Sequence, residues 1–281
     1  MSDNVRITVL VENSVYRQKL AAEHGLSLHV QIGPRGILFD TGQTDMLLLN
    51  ADAMGIALSE VEAIVLSHGH CDHTGGIPAL LEIAHRARVY AHPAAFGMKY
   101  SKPAGCGSRH NGMSLAASQA IRRLGNRFVE TRERTEVAPG AFVTGEIPRR
   151  TEFEDTGGPF CLDADGTQPD PLLDDQAMVI DLGKSVVLLL GCAHSGAVNT
   201  IDHISKLSGG KPVSAIIGGL HLGNATEERL DKTIARLQAA RLRCVAPMHC
   251  TGWPASARLW QAMPEIYNSS GVGTVFRFLC E

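Results

Sequence analysis

Within the stretch LSHGHCDHTGG, residues 66–76, four side chains in six positions could hold a metal ion: His68, His70, Asp72 and His73. Imidazole nitrogen and carboxylate oxygen suit zinc, in one or two ions. Iron, manganese and nickel stay open, because donor type separates these metals poorly. Three more histidines stand in similar short loops, His194 in CAHSG, His221 in LHLG and His249 in MHCTG. A dication in such a cluster would lower the pKa of bound water to about 7, or act as a Lewis acid toward a departing diphosphate. Asp72 is the candidate catalytic residue, holding metal and orienting the attacking water or amine.

Each of these loops follows an apolar run: AIVLS (63–67), SVVLLLG (185–191), SAIIGG (214–219) and RCVAP (243–247). Short apolar runs bounded by glycine and polar loops read as buried strands, and the segments after them read as helices, the first beginning near Gly75. In open α/β sheets, ligands gather outside the carboxyl ends of the strands, which is where these histidines fall. The helix after LHLG opens with Asn224-Ala225-Thr226-Glu227, in the manner of a capping box. Residues 27–32 and 36–40 flank Gly33-Pro34-Arg35-Gly36 and read as a hairpin ending in Asp40-Thr41-Gly42. The expectation is one α/β domain over residues 1–281. The stretch from about 94 to 176, rich in Gly, Pro, Arg and acidic residues, reads as an inserted lid with a helix from 114 to 124.

Composition narrows the partners. With 26 Lys plus Arg against 29 Asp plus Glu, the net charge is −3 and no basic block tracks a phosphate backbone, so nucleic acid is not expected. The opening MSDNVRITVLVENS reads as a strand rather than a signal peptide, and no run is apolar for the roughly 18 residues of a membrane span. A cytoplasmic protein without membrane contact is expected. The 7 cysteines follow no framework spacing and read as free thiols. Cys71, Cys192 and Cys250 lie beside proposed ligands, but small polarisable loop fillers are the preferred reading over metal thiolates.

His68-x-His70-x-Asp72-His73 resembles the HxHxDH signature of the metallo-β-lactamase superfamily, and Asp40-Thr41-Gly42 is similar to its first motif. The resemblance implies an αββα sandwich with the metal site at the edges of the sheets, and it casts Asp40 as a group that orients ligand loops. A glutamate in place of His70 would mark the di-iron flavoprotein branch, so His70 favours hydrolytic or transfer chemistry. AEHGLSLHVQ, LFDTGQT, LSHGHCDHTGG, TGEIPR, DDQAMVI, GCAHSGAVNT, GGLHLG and HCTG together resemble the branch named for 7,8-dihydropterin-6-methyl-4-(β-D-ribofuranosyl)aminobenzene-5'-phosphate synthase. That branch implies a phosphorylated, pterin-type small-molecule substrate and carbon–nitrogen bond formation. A metal-dependent phosphoester hydrolase and a non-catalytic ligand-binding module are the alternatives. Many superfamily members carry a metal-bridging aspartate after a strand reading like LFTGD, where this chain has LLLGCAH. One or two metals therefore stay open, with Asp174 and Asp175 as candidate replacement carboxylates.

The remaining candidates are weaker. His221 is read either as a ligand or as a hydrogen-bond donor to substrate. Lys99, Lys102, Arg109, Arg149 and Arg150 offer cations for a substrate phosphate. Phe96, Tyr100, Phe153 and Phe160 could wall a pocket for a flat heterocycle. His24, His29, His85, His92, His110 and His203 lack the strand-end setting and read as surface or packing residues.

Overall fold

A computed structural model of the chain describes residues 4–280. One sheet runs, in spatial order, Val275–Leu279, Asn4–Val11, Ser27–Ile32, Arg35–Phe39, Val61–Val65, Arg88–Ala91 and Phe128–Glu130. A second runs Cys244–Met248, Val213–Gly219, Val186–Leu190, Met178–Asp181, Ala141–Val143 and Thr135–Ala138. Strand alternation decides which layer each side chain joins. Val187, Leu189, Ala215 and Ile217 meet Val5, Ile7 and Val9 in the core between the sheets. Their neighbours Val186, Leu188, Leu190 and Ile216 face the other way, into a core beneath the helices Ala197–Leu207, Glu227–Ala239 and Trp253–Ala262. Leu38, Ile64 and Leu66 do the same on the first sheet, beneath Met46–Ala53, Ile77–Leu81 and Leu115–Arg122. Strands apolar on both faces must be covered on both, and the four αββα layers follow.

The strands expected from the apolar runs all form, with ends moved by a residue or two, and the hairpin Ser27–Ile32 to Arg35–Phe39 is antiparallel. Arg35–Phe39, Val61–Val65 and Arg88–Ala91 are parallel, as are Val186–Leu190, Val213–Gly219 and Cys244–Met248. The carboxyl ends of each parallel set therefore deliver their loops along one edge of the sandwich.

Three local expectations change. The helix placed near Gly75 is a single turn at Cys71–Thr74 followed by Ile77–Leu81, with Pro78 in its first turn. A Cβ on Gly75 would stand 1.9 Å from the Gln43 carbonyl oxygen, so the chain breaks there to let two backbones touch. The cap of Glu227–Ala239 is Thr226, whose hydroxyl accepts from the Arg229 N–H at 3.2 Å, and Asn224 closes no box. The stretch 94–176 is woven into the sandwich rather than laid over it. It supplies Phe128–Glu130 to one sheet, Thr135–Ala138 and Ala141–Val143 to the other, and Leu115–Arg122 to an outer layer. Only its small sheet, Phe160–Cys161, Tyr100–Ser101 and Arg109–His110, stands apart from both. These strands are two to four residues long and carry too little period to be read from a polar sequence. Among the described residues no helix is long and apolar enough to cross a membrane.

His29, on the second strand of the hairpin's sheet, is buried, and burial together with Arg6 lowers its pKa from 6.5 to about 4. The unfolded chain binds this proton below pH 6.5 and the folded chain does not until about pH 4, so stability is full above 6.5 and falls as the pH drops through that window. The difference amounts to about 3 kcal/mol. We expect His29→Gln to flatten the fall of the urea midpoint between pH 6.5 and 4, whereas an unchanged pH profile would show that His29 does not drive it.

Candidate metal centre

The edge of the sandwich gathers six of the histidines and Asp72. Four non-glycine residues beside it take left-handed backbone angles: Asp40 (φ 60°), Ala193 (φ 56°), His221 (φ 46°) and His249 (φ 52°). Each lies at or just past a strand's carboxyl end, where a sharp turn aims the loop back across the edge. Such conformations cost of order 1–3 kcal/mol apiece and persist where the surroundings fix them. Close approach does the fixing. A Cβ on Gly191 would stand 2.0 Å from Ser67 Oγ, and one on Gly157 would stand 2.1 Å from the ring of His221.

Hydrogen bonds assign the histidine tautomers. His73 Nδ1 lies 2.7 Å from Asp40 Oδ2 and must carry a proton to bond to it. His249 Nδ1 donates to Asn13 Oδ1 at 2.9 Å, and His194 Nδ1 donates to the Thr156 carbonyl at 2.8 Å. Ser67 Oγ gives its own proton to Asp40 Oδ2, so at 2.9 Å it accepts from His68 Nδ1. In the neutral rings every Nε2 is then a bare lone pair. The Nε2 atoms of His73 and His249 face each other at 3.2 Å, and Asp72 Oδ2 lies 3.3 Å from the latter; when His73 is charged its Nε2–H donates across this gap, and when a cation takes that proton's place both nitrogens are donors to it. His68 Nε2 meets His70 Nδ1 at 2.9 Å, and His194 Nε2 is buried with no hydrogen-bond partner. Donor-type nitrogens converge here on two points, and the unpartnered lone pair of His194 is one a cation would satisfy. Two sets of atoms within 4.8 Å of one another restate this grouping: His68, Cys192 and His194, and His73, Cys192 and His249.

Protonation follows the same division. Burial, with the neighbouring imidazoles adding to it, holds His68 and His194 well below the usual histidine range, and burial lowers His70 to about 3. These rings are neutral and ready to donate to metal. Burial works against the charge on His73 too, but Asp40 and Asp72 outweigh it and raise the pKa to about 9. Burial likewise opposes the charge on Asp72, and His73, His24 and His249 overcome it, so the carboxylate stays ionised.

The loops carrying His68 to His73, His194 and His249 are each held by a buried carboxylate, and Leu220 N in the His221 loop donates to Thr251 Oγ1 instead. Asp40 Oδ1 accepts from Ser67 N (2.7 Å), Asp174 from Gly69 N (2.7 Å), Asp175 from Ser195 N (2.7 Å) and Glu12 from His249 N (2.8 Å). Asp174 and Asp175 are thus engaged by the backbone of the ligand loops. Lys99 is corrected. Its ammonium is buried between Asp170 (2.9 Å) and Asp174 (2.8 Å), neutralised there and not among the residues lining the cavity over the site. Arg149 also serves the scaffold, donating to the carbonyls of His194 and Pro171. Of Lys99, Lys102, Arg109, Arg149 and Arg150, Arg109 alone lines the cavity over the site, which measures about 200 Å³ and also exposes Asp72, His221, Asn111 and Phe160. Phe160 lies 5.0 Å from the rings of His70 and His194. Phe96 packs on Phe128, Tyr100 on His110 and Phe153 under Lys232. His221 sits with Cys192 and Cys250, its Nδ1 buried and without a partner.

Sequence reasoning missed His24, whose Nε2 lies 3.1 Å from Asp72 Oδ2 at the cavity wall. It also missed Glu12 and Asn13. The only signal for His24 was its place in AEHG, a stretch with no strand-end pattern.

Two facing sheets between helices, with HxHxDH at a strand end and histidines returning from three more, define a metallo-β-lactamase fold with candidate metal-binding groups. Residues 24–223 match the metallo-beta-lactamase superfamily, and the chain belongs to it. It is 30% identical to the 7,8-dihydropterin-6-methyl-4-(beta-D-ribofuranosyl)-aminobenzene-5'-phosphate synthase of Methanocaldococcus jannaschii, over 98% of this chain and 97% of that protein. Among solved structures it resembles Tm1679, described as a metal-dependent hydrolase of the beta-lactamase superfamily, with TM-score 0.79 and 26% identity over 97% and 98% of the two chains. YhfI from Bacillus subtilis shares the fold at TM-score 0.59 and 14% identity, covering 98% of this chain and all of its own (100%).

Removing one partner of a buried ion pair strands the others, so we expect Lys99→Ala to lower folding stability by about 3–5 kcal/mol in urea titrations. An unchanged midpoint with only a raised KM would restore Lys99 as a substrate-binding cation.

Proposed function

We propose that the chain is a metal-dependent enzyme that joins a phosphorylated, pterin-type substrate to an arylamine. The 30% identity to the dihydropterin-linked synthase across 98% of the chain carries this reading. In the proposed reaction the amine nitrogen bonds to the pterin methylene carbon, the bond from that carbon to diphosphate oxygen breaks, and the amine gives up one proton. A dication held by His68, His70, Asp72, His73, His194 and His249 would supply Lewis acidity toward the departing diphosphate. Zinc suits these donors best.

The chain's own groups do the rest. Arg109 on the cavity wall can pair with phosphate oxygens, and Phe160 offers a face for a flat heterocycle. Asp72, ionised and hydrogen-bonded by His24, orients the attacking group. Because a cavity of about 200 Å³ cannot enclose a whole pterin conjugate, the sugar phosphate would extend past Arg109 toward solvent. A second reading, hydrolysis of a phosphoester or related small molecule, draws on the 26% identity to a metal-dependent hydrolase.

Calorimetric titration of dihydropterin diphosphate and of simple phosphodiesters into zinc-loaded protein separates the two. We expect saturable binding of the pterin. Turnover of diesters with no detectable pterin affinity would favour the hydrolase. Asp72→Asn keeps the side chain's volume and removes its charge, so kcat should fall by about 100-fold or more with the circular dichroism unchanged. Full activity in a folded variant would remove Asp72 from the mechanism.

A further inference from the structure

Cys192 stands where the two groups of candidate ligands meet. Its Sγ belongs to both the His68–His194 set and the His73–His249 set, with every ligand atom of a set within 4.8 Å of the others. It is buried at 3% exposure and lies 3.2 Å from His73 Nε2. A loop-filling cysteine would be surrounded by carbon; this one is surrounded by donor atoms.

Those atoms are mostly metal-ligating nitrogens. Once their Nδ1 protons are committed, the Nε2 atoms of the neutral His68, His194 and His249 rings are lone pairs, and the thiol has a single proton to offer among them. The buried carboxylates that might have occupied this point are engaged elsewhere, Asp174 on Gly69 N and Lys99, Asp175 on Ser195 N. The backbone leaves the sulfur no escape. Cys192 is followed by Ala193 in the left-handed region and preceded by Gly191, whose missing side chain lets Ser67 close in. A thiolate sulfur is among the strongest zinc ligands and can serve two ions at once through its several lone pairs.

We infer that Cys192 is a metal ligand shared by the two halves of the centre, its thiolate taking the place a bridging carboxylate would fill. The inference rests on the reading that this centre binds metal. Cys250 is the neighbouring alternative, since with Cys192 and His221 it forms a third such set, but it touches neither the His68 group nor the His73 group in that way.

X-ray absorption at the zinc edge of the full-length, zinc-loaded protein tests it directly. With about two zinc ions bound, a shared thiolate gives about one sulfur scatterer per zinc near 2.3 Å, whereas a sulfur on one ion gives about one half. The sulfur signal should persist in Cys250→Ser and vanish in Cys192→Ser. If Cys192→Ser does not fold, the wild-type and Cys250→Ser spectra decide the matter. Zinc bound through nitrogen and oxygen alone, about one half sulfur per zinc, or a sulfur signal lost in Cys250→Ser would overturn the assignment while leaving metal binding intact. Failure to take up zinc or cobalt at all would overturn both.

Discussion

Asp40 is the interaction on which the rest of the site depends. Its carboxylate is fully buried and accepts three hydrogen bonds, from Ser67 N and Ser67 Oγ at 2.7 Å each and from His73 Nδ1 at 2.7 Å. Through Ser67 Oγ it also reaches His68. One buried charge therefore fixes the tautomer of two candidate ligands and the path of the loop that carries four. A buried carboxylate is tolerable only when so fully bonded, and charge-assisted bonds of this kind are about twice as strong as neutral ones.

The same device recurs around the edge. Asp174, Asp175 and Glu12 each hold the backbone N–H of a different ligand loop, and Glu154 accepts from Val198 and Asn199 N to cap the helix that follows His194. Lys99 completes the set by neutralising Asp174 and Asp170. The left-handed turns at Asp40, Ala193, His221 and His249 are kept in place by this ring of carboxylates and by glycines that let the strands' ends touch. Rigid outer contacts of this kind let several lone pairs be held close together before any cation arrives.

Much of this was legible in the sequence for simple reasons. Apolar runs such as VVLLL and AIIGG announce buried strands, and HxHxDH at a strand end announces a ligand loop, because both signals are local. What could not be read depends on partners distant along the chain. Lys99 looks like a free cation until folding brings Asp170 and Asp174 to it, and Arg149 looks the same until the carbonyls of His194 and Pro171 appear. His24 carries no motif, yet the hairpin's sheet sets it beside Asp72. Cys192 reads as a filler because the character of its neighbours is a tertiary property. The stretch 94–176 reads as a lid because its strands are short, although three of them finish the main sheets.

The central claim is that outer hydrogen bonds lock the ligating rings into one tautomer, leaving Nε2 free to converge. Nitrogen-15 NMR of the histidine side chains in zinc-loaded protein measures this ring by ring. The account predicts Nδ1–H with a metal-shifted Nε2 for His68, His73, His194 and His249. Retention of an Nε2–H on any of these four would contradict it.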